Sequence, residues 1–492
     1  MKTPPGALLP LILGAVIFPR LFAQGAFPSL EADPQARRFA ERARNGLDAW
    51  QDITDAALWA SGAEERGSRE VIAAAVEEFL SLPEPAGDPR SRGEAVLTFL
   101  HRRFLKGYSL NQTRLDEILR TGRYNCVSSA VLYAIFAGAA GLEVRGVMTR
   151  DHALIIVKAG SEWIDVETTN AYGFDPGNRR EFHDQFGEVT GFAYVPARNY
   201  RDRVSISVLE LVSLILSNRI AELEGRNRYA EAVPLAVNRA ALLAGRRDPA
   251  DSDFFAGGER DLQDRLLNYG AALSNAGREA DALEWAALAE AALASPGDGR
   301  GGERWEEFSF AALNNLIVRH IRAGRITEAR NSLNRYGAQV SAARRRSLEA
   351  LLTEAALAAR SNEAGQDPEA LLRDIGLARD ASLIDGRRAE ELRNFVIIRE
   401  GQRIAASEGP AAAAAYTAGA ITRYGGSAQL ENALQVYRQN RLAELHNAFA
   451  RLYNARNFDA ARLQARSALS EFPGNRQLQR DLDMAEEALR RR

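Results

Sequence analysis

Apolar residues in the first quarter of the chain recur at steps of three and four. Residues 36–57, 68–82 and 93–105 carry this spacing, which predicts helices with one buried stripe each. Residues 82–90 (LPEPAGDPR) punctuate them as a loop, and residues 111–119 (NQTRLDEIL) read as a further short helix. The helical step resumes at Val127, Ala130, Val131, Ala134 and Ile135, with Gly141 as a C-terminal stop. The period then changes. Residues 152–157 (HALIIV) are apolar on both faces and predict a buried strand. Ala159-Gly160 supplies a turn, and residues 162–168 (EWIDVET) a return strand. Residues 191–195 (GFAYV) suggest one more strand. The expected fold is therefore an α+β N-terminal domain, a cysteine-led helix packed on an antiparallel sheet, over residues 30–199.

From Val204 the chain becomes rich in Ala, Leu and Arg, with almost no strand signal. A Gly or Asn turn followed closely by Ala recurs, ending at Ala232, Ala282, Ala329, Ala414 and Ala461, at intervals of 50, 47, 85 and 47 residues. A small residue lets two helices approach closely. Stacked helical hairpins bury a continuous core. These units resemble tetratricopeptide helix pairs, at longer spacing than that family's 34 residues. Residues 204–492 are therefore expected to form an all-α repeat domain, with 476–492 as a capping helix and the apolar helix at 204–216 docking the two halves. Trp285 and Trp305 are expected in its core.

The chemistry concentrates between Thr121 and Pro176. Cys126 is the only cysteine, so it has no intramolecular disulfide partner. It falls at the start of a helix, where unpaired backbone N–H groups and the helix dipole favour an anion. A thiolate formed there is a usable nucleophile. With a two-residue turn at Ala159-Gly160, Glu167 lies directly across from His152, and Asp165 one diagonal step away on the same face. Either carboxylate would fix the imidazole's tautomer and support its protonated form. Tyr172 and Phe174, in the loop at 170–178, either rim the cleft or pack.

This arrangement resembles the transglutaminase-like superfamily, whose fold is allied to papain-type cysteine proteases. That family has a helix-leading cysteine, a strand opening His-Ala, and a strand of the form Trp-x-x-Val-Asp-Pro-Thr. His152-Ala153 and Trp163-Ile164-Asp165-Val166-Glu167-Thr168-Thr169 match the two strands, and the likeness covers residues 95–196. It implies Cys126 as nucleophile, His152 as base and Glu167 at the acid position. Glu stands where the family has Asp, and Thr168 where it has Pro. Asp165 stays open as the alternative acid.

Composition narrows the rest. A net charge of −2 and pI near 6.3 give no reason to expect nucleic acid. Among the five histidines no HExxH occurs, and a lone cysteine makes a zinc site improbable. His101 reads as structural and His183 as a surface residue. No phosphate loop or dinucleotide fingerprint is present, and no cofactor is expected. Lys2, the apolar run at 7–18 and the small residues Ala23, Gly25 and Ala26 read as a secretory leader over residues 1–24, too short to span a membrane. Together these predict an exported protein, periplasmic or extracellular. It would be a thiol enzyme acting on amide bonds of a protein or peptide, with hydrolysis favoured over cross-linking, and with repeats that bind a protein partner. The alternative is an inactive scaffold of the cell envelope with the same architecture.

Overall fold

The computed structural model describes residues 27–44, 49–63, 67–83, 87–149, 152–178, 182, 203–244, 256–293 and 300–491. The expected leader, the strand at 191–195 and His183 lie outside them. The chain is mostly helical with a small antiparallel sheet. It divides into two compact units, one ending at Ala312 and one spanning Leu313–Arg492. The first unit thus runs well past the change of composition at Val204. Among the described residues, no helix is long and apolar enough to cross a membrane.

In the first unit, helices α1 (Pro34–Arg44), α2 (Trp50–Ser61), α3 (Gly67–Leu80) and α4 (Pro89–Arg103) lead to strand β1 (Gly107–Tyr108). Helix α5 (Leu115–Thr121), strand β2 (Arg123–Tyr124) and helix α6 (Cys126–Ala139) follow. Asn125 caps α6 in a capping box. Its Oδ1 accepts from Ser128 N–H at 2.9 Å, and its own N–H donates to Ser128 Oγ at 3.0 Å. Gly141 ends it at φ 75°: Leu142 N–H reaches the Ala137 carbonyl at 2.9 Å and Gly141 N–H that of Gly138 at 3.0 Å. Every residue from Val127 to Ala137 is buried. The expected single stripe is therefore a helix apolar on all sides, at the centre of the core.

The sheet runs in the order β5 (Glu162–Val166), β4 (Ala153–Ala159), β3 (Val144–Met148) and β6 (Val204–Ile206), all antiparallel. Ala153, Ile155, Val157, Ile164 and Val166 join the α6 core, each such large side chain contributing about 1.5–3 kcal/mol by burial. The hairpin register differs from expectation. Ala159 pairs with Glu162 and Ile155 with Val166, so the loop is Gly160-Ser161. Gly160 adopts φ 65°, a conformation glycine takes at the first loop position at no steric cost, and that fixes where the strand must end. Val204–Ile206 is a strand rather than the start of a helix. The helix itself, α7 (Val208–Gly225), packs on α2 and α6, burying Leu211, Val212 and Ile215 in their core.

The remaining helices form hairpins. In the first unit α7 is followed by Tyr229–Leu243, and Ala256–Asn275 by Glu279–Leu293. Trp285 and Trp305 are buried there, and Trp285 Nε1 donates to the Leu266 carbonyl at 2.8 Å. The second unit continues with Ile326–Tyr336, Ala342–Asn362, Pro368–Asp380, Gly386–Ser407, Pro410–Tyr424, Ala428–Asn454, Phe458–Glu471 and Arg476–Arg490. Ala232, Ala282, Ala329 and Ala461 are buried three residues into their helices, as the repeated small position requires. In the helix beginning at Pro410 that place belongs to Ala413, fully buried, and not to Ala414. The long gap in the pattern conceals a further hairpin at Pro368, where Leu371 occupies the alanine's place.

Candidate active site

Cys126 is free and half-buried at the first position of α6. The N–H groups of the first turn have no acceptor in the helix backbone, and of them that of Ser128 is already taken by Asn125 Oδ1. Two short elements hold the turn in place. Ser109 N–H donates to the Tyr124 carbonyl at 2.7 Å, Asn125 Nδ2 to the Leu110 carbonyl at 3.1 Å, and Ser128 Oγ to the Gln112 carbonyl at 3.0 Å. The segment after β1 is therefore tied to the start of the cysteine's helix.

His152 immediately precedes β4, and its Nε2 lies 2.6 Å from Glu167 Oε2. Burial pulls the imidazole's pKa down. The charge of Glu167 and hydrogen bonds with Cys126 and Glu167 outweigh burial and raise it to about 11. Cys126 thus lies close enough to the ring to act on its charge, while the acid engages Nε2. Burial likewise disfavours ionised Glu167. The protonated His152, with Thr169 Oγ1 at 2.6 Å and Thr169 N–H at 3.2 Å on Oε1, holds that carboxyl below the ordinary range.

The observed register explains which acid meets the ring. Glu167 follows Val166, the partner of Ile155, so His152 stands a diagonal step beyond it rather than directly opposite. The shift of register is even, so Glu167 keeps its parity. The extra methylene of glutamate, relative to aspartate, spans the diagonal. Asp165 is the correction: it pairs with Ile156 inside the strand, and Arg203 engages both its carboxylate oxygens, one of them at 2.9 Å. It is spent as an ion-pair partner and does not reach His152.

Several supporting residues carry no sequence signal of their own. Thr168 Oγ1 and Ser129 Oγ are 2.8 Å apart, linking the acid segment to α6 one turn after Cys126. Tyr124 donates to the Thr169 carbonyl at 3.0 Å. His101 Nε2 lies 3.1 Å from the Thr168 carbonyl, and burial lowers its pKa to about 4, so the neutral ring donates there. The structural role expected of His101 is thus exercised on the acid segment. Beyond it the chain folds back, with Glu167 N–H donating to the Gly173 carbonyl at 2.7 Å. A Cβ at Gly173 would sit 1.9 Å from the Glu167 carbonyl oxygen, so only glycine fits. Phe174 is buried and bridges Val166, so it packs, whereas Tyr172 is exposed. Among the described residues no cluster of three or more His, Cys, Asp or Glu side chains is placed to hold a metal.

No protein-family model and no curated protein matches the chain. Among solved structures it is similar to a crystal structure of menin, described as revealing the binding site for Mixed Lineage Leukemia (MLL) protein. The identity is 13% and the TM-score 0.34, over 84% of this chain and 96% of that one. At that TM-score the likeness carries no argument about fold or function.

Proposed function

We propose that the protein is an exported, transglutaminase-like cysteine enzyme that opens amide bonds, with its helical hairpins serving to bind a protein partner. The observation that carries this reading is the 2.6 Å contact of His152 with a buried Glu167, made by the same ring that meets Cys126. In the reaction, the Cys126 sulfur adds to the amide carbonyl, and the new oxyanion takes hydrogen bonds from first-turn N–H groups of α6. His152 gives its proton to the departing amine as the C–N bond breaks, leaving a thioester. Neutral His152 then takes a proton from water as the water attacks. The carboxylic acid is released and the sulfur departs as thiolate, restoring the starting pair with protonated His152. Glu167 orients the ring throughout and offsets its charge. Hydrolysis is favoured over transfer because no dedicated amine site is evident in the sequence.

The test is incubation of the full chain with a pool of synthetic peptides, reading release of new amines and ammonia. Release by the wild type that is lost in Cys126→Ala supports the enzyme. No release by the wild type, with a Cys126→Ala variant that keeps its biological role, supports the scaffold alternative.

A further inference from the structure

Two paired tyrosines lie on the strands that lead into the cysteine's helix, and they differ in what their hydroxyls do. Tyr108 and Tyr124 are paired residues of β1 and β2, with rings edge-to-face at 6.1 Å. Tyr124 spends its hydroxyl on the Thr169 carbonyl. Tyr108 is half-buried and packs against the same core cluster as Cys126, and no hydrogen bond to its hydroxyl is found among the described residues. Glu167 draws its hydrogen bonds from Thr169 and His152, with none from Tyr108 among the described residues. The backbone that carries the ring is anchored, because the segment after it is bonded to the Tyr124, Asn125 and Ser128 positions. The result is an O–H donor with no partner among the described residues, on a strand residue paired with Tyr124, two positions before the sulfur nucleophile.

Resting on the proposed acyl-transfer reading, we infer that Tyr108 donates its O–H to the carbonyl oxygen of the substrate as Cys126 adds to it. The phenol suits the task because it stays protonated: burial, then the charges of Cys126 and Glu167, push its ionisation well above the ordinary value. It therefore offers a proton to a developing negative oxygen without losing it to solvent. A donor placed at the oxyanion acts only when a carbonyl is attacked. Alkylation of the same sulfur at a saturated carbon creates no oxyanion and gains nothing from it.

That difference is the experiment. The full chain, its Tyr108→Phe variant and a Cys126→Ala control are each treated with p-nitrophenyl acetate, following p-nitrophenolate release in a single turnover, and separately with iodoacetamide. The expected result is a fall of roughly a hundredfold in acylation of Tyr108→Phe, the scale of one lost oxyanion donor, with alkylation within about twofold of wild type. Equal acylation of wild type and variant overturns the inference and leaves the enzyme reading intact. Parallel slowing of acylation and alkylation also overturns it, since that marks a structural role for the ring. Failure of wild-type Cys126 to be acylated at all overturns both.

Discussion

Glu167 is bound at both carboxylate oxygens, by His152 at 2.6 Å on one and by Thr169 on the other, while almost entirely out of solvent. A buried acid in this state is ionised because its partner is protonated, and each holds the other's charge. Glu167→Gln keeps the volume and removes that charge. Acyl transfer is expected to fall on the order of ten-thousandfold, as when an orienting carboxylate is lost beside a catalytic histidine. Single-turnover kinetics with the peptide pool or an activated ester measure it.

The same pair shapes the pH dependence of stability. The folded pKa of His152 lies above its ordinary 6.5, so its stabilisation is complete below pH 6.5 and is lost as pH rises through about 11. The folded pKa of Glu167 lies below its ordinary 4.5, so its stabilisation is present above pH 4.5 and is lost as pH falls through the lowered value. The melting-temperature difference between wild type and Glu167→Gln should therefore be greatest between pH 4.5 and 6.5 and shrink steadily toward alkaline pH. Thermal melts across that range check it, and a difference independent of pH contradicts the pairing.

Gly173 carries the fold-back that encloses Glu167. Gly173→Ala forces a Cβ into the Glu167 carbonyl, which must move with the acid it carries. Destabilisation of about 1–3 kcal/mol is expected, the usual cost of overpacking, together with slower acyl transfer. Denaturant unfolding alongside the kinetics separates this from Gly177→Ala, where a Cβ meets nothing and both readouts should hold.

The small buried position in the repeats gives a sharper contrast between neighbours. Ala413→Leu should cost about 1–3 kcal/mol by overpacking, whereas Ala414→Leu, at a partly exposed site, should be nearly neutral. Chemical denaturation of the two variants measures this. The reverse order would restore the alignment read from sequence alone.

What could be read from the sequence was what local chemistry determines. Asn125 before Cys126 and Gly141 after Leu-poor small residues mark both ends of α6, and His152 and Glu167 are set by a hairpin whose parity survives an even shift. What escaped depends on tertiary context. The strand Val144–Met148 contains Arg145 and Gly146 and has no alternating pattern, and its glycine is needed where Ile206 packs, 2.8 Å from the position a Cβ would take. Two-residue β1 and β2 are too short for any period, although β2 leads directly into the helix that Cys126 opens. Leu371 fills a place that alanine fills elsewhere, so the hairpin at Pro368 broke the repeat as written. Asp165 and Glu167 share one face of the hairpin, and the choice between them rests on the observed register and on Arg203, far along the chain.

The central claim is that sulfur and imidazole act as one unit. Its most direct test is the rate of iodoacetamide alkylation of Cys126 at pH 7 in the native wild type and in His152→Ala. Wild-type alkylation at least about tenfold faster than the variant is predicted, because the protonated ring stabilises the reactive thiolate. Equal rates in the two folded proteins would contradict it.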